Sequence, residues 1–263
     1  MSDDIALSPD SLFVADVIAS PNHGERRDGR RPDMIILHYT GMPDAASAVE
    51  WLCRAESEVS AHYVVDEDGR VLQLVAEGRR AWHAGKSAWG GECDINSASI
   101  GIEIVNPGHE FGYRPFPEEQ IEAVIGLCLD ISLRHGIAPH RVLGHSDVAP
   151  MRKTDPGELF PWVVLADAGV GHYVPPQPIG DPAGLAPGSE GPAVRALQAL
   201  LSVYGYDVRP LGQFDEQTEA VVRAFQRHFR PARVDGVADA STVRTLKRLI
   251  DALPDVSDAV VVA

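Results

Sequence analysis

The chain has 263 residues, of which 44% are hydrophobic and 6% aromatic, so it can bury a proper core in one or two domains. Its formal net charge of −15 argues against binding of nucleic acid or of anionic membrane surfaces through a basic patch. Residues 184–263 carry a net charge of −1, which leaves −14 on the rest of the chain. This asymmetry suggests two units.

The N-terminal stretch is acidic, and no basic region followed by an apolar run is present. Neither a signal peptide nor a membrane span is therefore predicted, and a cytoplasmic location is the default expectation. The three cysteines, Cys53, Cys93 and Cys128, are widely spaced and include no Cys-x-x-Cys pair. We expect reduced, buried thiols rather than disulfides or a thiolate zinc site.

A short apolar run at 34–37, bounded by a proline and a glycine, predicts a buried strand with His38 at its end. A histidine in this place is either a satisfied core residue or a ligand. The apolar spacing over 45–56 then predicts a covering helix, with Asp44 available as its N-cap.

Residues 62–75 place Asp-Gly between two apolar runs, which predicts a hairpin. The polar and aromatic segment 79–86 is interpreted as a loop that either lines a cleft or forms a solvated turn. Residues 99–106 alternate as a strand, in which Glu103 is flanked by apolar residues. Desolvation at such a position raises the pKa of a carboxyl group and suits a general base.

The segment 116–136 predicts a long core helix, with a proline near its first turn and acidic residues at its N-terminal end. A short strand at 139–144 then delivers His145. A mixed sheet with these strands can bring His38, Glu103 and His145 together.

The stretch 144–157 combines an imidazole, an ammonium and a carboxylate on a segment that two prolines make stiff and unsuited to a helix. Zinc accepts both His145 and Asp155 as ligands, whereas Lys153 suits charge stabilisation. Alternatively, Asp155 simply starts an Asp-Pro-Gly turn.

Together these motifs resemble the zinc N-acetylmuramoyl-L-alanine amidases of the AmpD/AmiD type over roughly residues 20–170. The matching motifs are Leu37-His38-Tyr39-Thr40-Gly41, Ile100-Gly101-Ile102-Glu103, Gly144-His145-Ser146-Asp147, Lys153-Thr154-Asp155-Pro156-Gly157 and Phe160-Pro161-Trp162. The resemblance implies an α/β fold, with a mixed central β-sheet flanked by helices, and a Zn²⁺ cofactor. It implies His38, His145 and Asp155 as the zinc ligands. It further implies Glu103 as the catalytic acid and base and Lys153 as the oxyanion stabiliser.

The resemblance also bears on the loop and strand between these motifs. Arg80 and His83 match a family loop that faces the substrate, whereas His62, inside a strand, is interpreted as structural. The phage-lysozyme branch has a tyrosine where this chain has Ala61, which fits the branch that uses Glu103 instead.

Two histidines, one carboxylate and an open fourth position are typical of a catalytic zinc site. The predicted function is hydrolysis of the amide bond between N-acetylmuramoyl, in its 1,6-anhydro form, and L-alanine of peptidoglycan fragments during cell-wall recycling. Two alternatives stay open: an exported amidase that acts on polymeric peptidoglycan, and a non-catalytic wall-binding protein on the same scaffold. The predicted partners are thus peptidoglycan fragments, and the sequence does not specify the oligomeric state.

A Pro/Gly-rich segment, 171–187, predicts a semi-rigid linker between a catalytic domain at 1–170 and a second domain at 188–253. Three helical apolar stripes in the second domain predict a small three-helix bundle. Its motifs resemble the peptidoglycan-binding domain type 1, although Ala238 stands where a glycine is common. The alternative is a packing module that stabilises the enzyme or a dimer. Residues 254–263 are interpreted as an unanchored tail.

Overall fold

The protein is described here by a computed structural model covering residues 8–254. The tail predicted at 254–263 therefore lies outside the described residues, apart from Pro254. The strands are β1 (Val14–Val17), β2 (His23–Glu25), β3 (Met34–Tyr39), β4 (Tyr63–Val65), β5 (Val71–Gln73), β6 (Arg79–Ala81), β7 (Ser99–Ile104), β8 (Val142–Gly144), β9 (Gly184–Leu185) and β10 (Ala238–Asp239). The helices are α1 (Ala45–Leu52), α2 (Ile95–Ala98), α3 (Gly108–Phe111), α4 (Glu118–His135), α5 (His145–Val148), α6 (Trp162–Asp167), α7 (Pro192–Tyr204), α8 (Glu216–Phe229) and α9 (Ala240–Asp251). Within the described range, no helix combines the length and apolarity that crossing a bilayer requires.

A mixed six-stranded sheet organises the first part of the described chain, in the order β1-β5-β4-β7-β3-β8. Its neighbouring strands run parallel, except for the β4–β5 hairpin around the predicted Asp-Gly turn. Helices flank this sheet, and three further helices, α7 to α9, follow it in the chain. The predicted α/β fold with a mixed central sheet and a C-terminal helical bundle is thus confirmed.

Each face of the sheet is buried in a different hydrophobic cluster. Ile35, Leu37 and alternate isoleucines of β7 pack with the apolar face of α4. Ile36 and Leu143, on the other face, belong to a cluster that also contains the apolar stripes of α7, α8 and α9. Sheet and C-terminal helices therefore share one continuous core.

Four local predictions differ from the structure. The strand predicted at 139–144 covers only Val142–Gly144, because Pro139–Arg141 form a 3-10 helix. The helix that begins after the Asp44 cap ends at Leu52, earlier than the predicted residue 56. The supposed loop at 79–86 begins as β6, because it pairs antiparallel with β2. The stretch 144–157 begins with a helical turn, α5, because the constraints of Pro150 and Pro156 act only on the residues around them.

The cysteines are free thiols, as predicted, but their burial differs. Cys128 lies on the buried face of α4, whereas Cys53 is half-buried and Cys93 is exposed. The prediction of burial was therefore wrong for Cys93, which lies in a polar turn.

The segment 171–187 is extended and contacts α9 along part of its length. Gln177 donates its backbone N–H to Thr245 and accepts a hydrogen bond from Ser241, and β9, near the segment's end, pairs with β10. The segment is thus partly packed, in contrast to a free linker. The division of the chain into domains at this segment stays a prediction.

A buried ionic cluster around Glu77 joins β4 to the end of α4. Its carboxylate accepts hydrogen bonds from Arg134, from His135 and from the Tyr63 hydroxyl. Burial by itself would raise the pKa of Glu77, but these three donors outweigh burial and lower the pKa to about 2. The charged form of Glu77 therefore stabilises the folded state.

We expect Glu77→Gln to lower the free energy of unfolding by about 3 kcal/mol at pH 7, because the variant leaves Arg134 without its buried carboxylate. The depressed folded-state pKa means that this stabilisation is complete above the unfolded-state pKa and is lost as the pH falls toward 2. Denaturant unfolding of both proteins between pH 7 and pH 2 measures the difference. Glu50→Gln, at an exposed pair with Arg54, is the control and should change little. A difference for Glu77→Gln that is independent of pH would contradict the prediction.

Candidate metal centre

The register of the parallel strands brings the two predicted histidine ligands together. Leu37 of β3 pairs with Gly144 of β8, so the next residues, His38 in β3 and His145 just after β8, lie side by side. On the other flank of β3, His38 pairs with Glu103 of β7. Register partners on neighbouring strands point to the same side of a sheet, so all three side chains meet at one edge.

Asp155 completes the group from the end of the loop that follows α5. Its carbonyl accepts the backbone N–H of Ser146 at 2.9 Å, which folds the loop back onto the residue next to His145. Asp155 Oδ2 lies 3.2 Å from His38 Nδ1 and 3.0 Å from His145 Nδ1, and the two nitrogens are 2.9 Å apart. The exposed fractions of the three residues are only 1%, 3% and 6% for His38, His145 and Asp155.

These separations suit a single small cation. Zinc binds nitrogen and carboxylate oxygen at about 2.0–2.1 Å, so a tetrahedral zinc site spaces its ligand atoms roughly 3.3 Å apart. The three residues form a cluster of possible metal ligands, each offering one atom.

Hydrogen bonds on the far side of the His145 ring fix its tautomer. His145 Nε2 lies 3.1 Å from the carbonyl oxygen of Ala84, which can only accept. Nε2 therefore carries the proton, and in the neutral ring Nδ1 presents a lone pair to the cluster. This arrangement is typical of histidines that bind metals.

A longer chain of hydrogen bonds fixes the tautomer of His38. Ser99 donates its hydroxyl to the carbonyl of Ile95 at 2.5 Å, so its oxygen accepts from His83 Nε2, 3.2 Å away. His83 Nδ1 is then an acceptor, and it receives the proton of His38 Nε2 at 3.1 Å. In the neutral ring, His38 Nδ1 consequently also presents a lone pair to the cluster.

Two nitrogen lone pairs and a carboxylate thus face one another at about hydrogen-bond distance, and only a cation can stabilise them there. A proton on His38 is disfavoured near neutral pH, because burial and the adjacent His145 lower the pKa of His38 to about 4. The donor set therefore fits a divalent metal ion.

Glu103 and Lys153 lie in the wall of the same cavity as the three possible ligands. This cavity has a volume of about 600 Å³. None of the described residues hydrogen-bonds Glu103 Oε2. Burial raises the pKa of Glu103 well above its usual range, the Asp155 carboxylate adds to the effect, and Lys153 opposes it. A carboxyl group with a raised pKa is suited to proton transfer near neutral pH.

Comparison with known proteins matches residues 28–158 to the family model of N-acetylmuramoyl-L-alanine amidase, and residues 190–246 to that of a peptidoglycan binding domain. The chain is also 39% identical over 234 residues to the N-acetylmuramoyl-L-alanine amidase AmiD of Escherichia coli (strain K12), which spans 84% of this chain and 83% of the relative. The chain belongs to the N-acetylmuramoyl-L-alanine amidase family.

Two solved structures resemble this amidase along most of their length. One is AmiD from E. coli in complex with the substrate anhydro-N-acetylmuramic acid-L-Ala-D-gamma-Glu-L-Lys, with a TM-score of 0.72 and 38% identity; the match covers 86% of this chain and 91% of that one. The other is AMPDH3 from Pseudomonas aeruginosa in complex with anhydromuramic pentapeptide, with a TM-score of 0.67 and 33% identity over 84% and 92% of the two chains.

The two residues predicted to face substrate lie in different surroundings in this amidase. Arg80 is bound to Asp94 Oδ1 at 2.8 Å and to the Ser97 hydroxyl, and it does not line the cavity described above. His83 lines the cavity but uses both ring nitrogens on His38 and Ser99. The structure thus brings His83 to the other candidate residues and leaves Arg80 apart, in an ion pair.

His62 has the surroundings of a structural histidine, as predicted. Its Nδ1 accepts the backbone N–H of Gly101 at 2.9 Å, and its Nε2 lies 3.1 Å from the carbonyl of Arg79. These bonds tie β4 and β6 to β7, and both ring nitrogens are satisfied without any contact to the candidate metal ligands.

Sequence reasoning missed several residues of the cavity. The Tyr39 hydroxyl lies 3.0 Å from both His109 Nδ1 and the Thr154 hydroxyl, and forms one wall. Arg152 donates to the Ala84 carbonyl at 3.1 Å, the same oxygen that receives the His145 proton. The only available signal for Arg152 was its place beside Lys153 in the stretch 144–157.

Gly101 makes room for the His83 ring, because a Cβ atom at this position would overlap His83 Cγ. We expect Gly101→Ala to displace His83 and to remove the acceptor of the His38 proton. If the candidate site binds Zn²⁺, its affinity should then fall by about 10-fold or more. Competition with a chromogenic chelator measures the zinc dissociation constant. Gly78→Ala is the control, since a Cβ there meets no atom within 4 Å. Unchanged zinc affinity in folded Gly101→Ala would show that the His83 ring is not needed.

Proposed function

We propose that this amidase is a zinc hydrolase that cleaves the amide bond between 1,6-anhydro-N-acetylmuramoyl and L-alanine of peptidoglycan fragments, in cell-wall recycling. The observation that carries the zinc assignment is the convergence of two histidine lone pairs and a carboxylate at the floor of the cavity. The anhydro form of the substrate is supported by the ligands named for the two similar structures.

In this proposal zinc is held by Nδ1 of His38, Nδ1 of His145 and Oδ2 of Asp155, and when bound it supplies an acidified water and polarises the scissile carbonyl. Glu103 accepts a proton from the attacking water and donates a proton to the leaving amine of L-alanine. The ammonium group of Lys153 stabilises the negative charge that develops on the carbonyl oxygen. His83 keeps the His38 ring in its tautomer.

Two residues of the cavity favour an enzyme over a wall-binding protein without activity. Glu103 and Lys153 both face the same cavity as the metal ligands, and a binding protein would not need a carboxyl group with a raised pKa beside a buried cation. The second candidate is an amidase that acts on polymeric peptidoglycan, which the match of residues 190–246 to a peptidoglycan binding domain favours.

We expect the zinc-loaded protein to release free peptide from anhydro-muropeptides faster than from intact sacculi, as measured by mass analysis of the products. Release from sacculi alone would favour the polymeric substrate, and release from neither would overturn the hydrolase assignment.

The cytoplasmic location stays a prediction, and cell fractionation of the native host tests it.

Glu103→Gln should keep zinc affinity close to that of the wild type and lower the catalytic rate by about 10²–10⁴-fold, because an amide cannot accept the proton of water. Single-turnover cleavage and zinc titration of the same preparation measure the two effects. Glu110→Gln makes the same chemical change elsewhere in the cavity wall and is the matched control. Near-normal turnover of Glu103→Gln would remove Glu103 from the mechanism.

A further inference from the structure

Asp147 is a buried carboxylate at the contact between the catalytic part of the chain and the C-terminal helices. Asp147 lies in α5 and is 1% exposed. Three donors converge on it: the Gly144 backbone N–H at 2.8 Å, the Tyr206 hydroxyl at 2.7 Å and His228 Nδ1 at 2.7 Å. Tyr206 follows α7 and His228 lies in α8, so two of the three donors come from the C-terminal helices.

Aromatic packing holds these two donors in place. The His228 ring stacks on Trp162, with centroids 3.6 Å apart, and on Phe229 at 3.8 Å. The Tyr206 ring packs against Trp89 with centroids 4.8 Å apart. Trp162 and Trp89 belong to the catalytic part of the chain. The rings of His228 and Tyr206 are therefore held by the same part of the chain that contains Asp147.

The same short helix carries a proposed metal ligand. His145 is the first residue of α5 and Asp147 the third, and Ser146 between them donates its backbone N–H to the Asp155 carbonyl. A displacement of Asp147 therefore moves His145 directly and Asp155 through this hydrogen bond. An ionised carboxylate that loses donors in a buried site moves toward water or toward other donors.

We propose that Tyr206 and His228 are positioning residues of the metal centre. By holding Asp147, the C-terminal helices fix the turn that carries His145, and the site binds metal with full affinity only when these helices are docked. The inference rests on the proposed zinc centre and assigns the C-terminal helices a task that is separate from any contact with peptidoglycan.

The test uses the full chain and three variants: Tyr206→Phe, His228→Phe, and the two combined. Each substitution keeps an aromatic ring and removes one donor. We expect zinc affinity, measured by chelator competition, to fall by a few-fold in each single variant and by about 10-fold or more in the combination. In the metal-free protein, hydrogen exchange at the amides of residues 144–148 should accelerate in the same order.

Thr218→Val is the matched control. Thr218 is fully buried in α8 and bonds to Asp215 and Gln198, so its loss weakens the C-terminal bundle without touching Asp147. We expect Thr218→Val to keep wild-type zinc affinity under conditions where circular dichroism shows every protein to be folded.

The outcomes separate this inference from the proposed function. A wild-type protein that binds no zinc would overturn the metal centre itself. A wild type that binds zinc, together with folded variants of unchanged affinity and unchanged exchange at 144–148, would overturn the positioning role alone. Equal losses in Thr218→Val and in Tyr206→Phe would also overturn it, because the effect would then reflect general destabilisation.

Discussion

The burial of three hydrogen-bond acceptors against one another is the constraint around which this molecule is arranged. Nδ1 of two histidines and one carboxylate oxygen face each other within 3.2 Å, which is unfavourable unless a cation lies between them. The surrounding fold supports this arrangement, because the Ala84 carbonyl and the His83 ring accept hydrogen bonds from Nε2 of His145 and of His38. The hydrogen bonds at the two Nε2 atoms thus direct both Nδ1 lone pairs toward the Asp155 carboxylate.

Much of this centre could be predicted from the sequence, because the strands that carry its residues have clear sequence patterns. The runs that end at His38 and at Gly144 are short and apolar, and the carboxyl ends of neighbouring parallel strands lie at one sheet edge, where ligands commonly bind in α/β folds. Glu103 was identifiable as a carboxyl group inside an alternating strand, and its pKa is raised, as desolvation requires. Local patterns and strand register were sufficient for these residues.

The remainder depends on contacts between residues that no local pattern relates. Nothing near Arg80 in the sequence indicates that its guanidinium is bound to Asp94, or that β6 pairs with β2. The direction of the His83 ring is set by Ser99 of β7 and by the space that Gly101 leaves. The helical turn at His145 likewise depends on distant residues, because Tyr206 and His228 donate hydrogen bonds to Asp147.

Charge had suggested two units, yet burial joins them. Ile36 and Leu143 of the sheet belong to the same hydrophobic cluster as Phe225 of α8, and Asp147 shares its donors between both parts. A binding module attached by a free linker would need neither feature, since its task requires only an exposed surface. A buried carboxylate that depends on donors from another part of the chain is costly when those donors leave, so the contact is more specific than apolar burial alone. In the positioning role that we propose for Tyr206 and His228, the C-terminal helices complete the surroundings of the candidate metal centre.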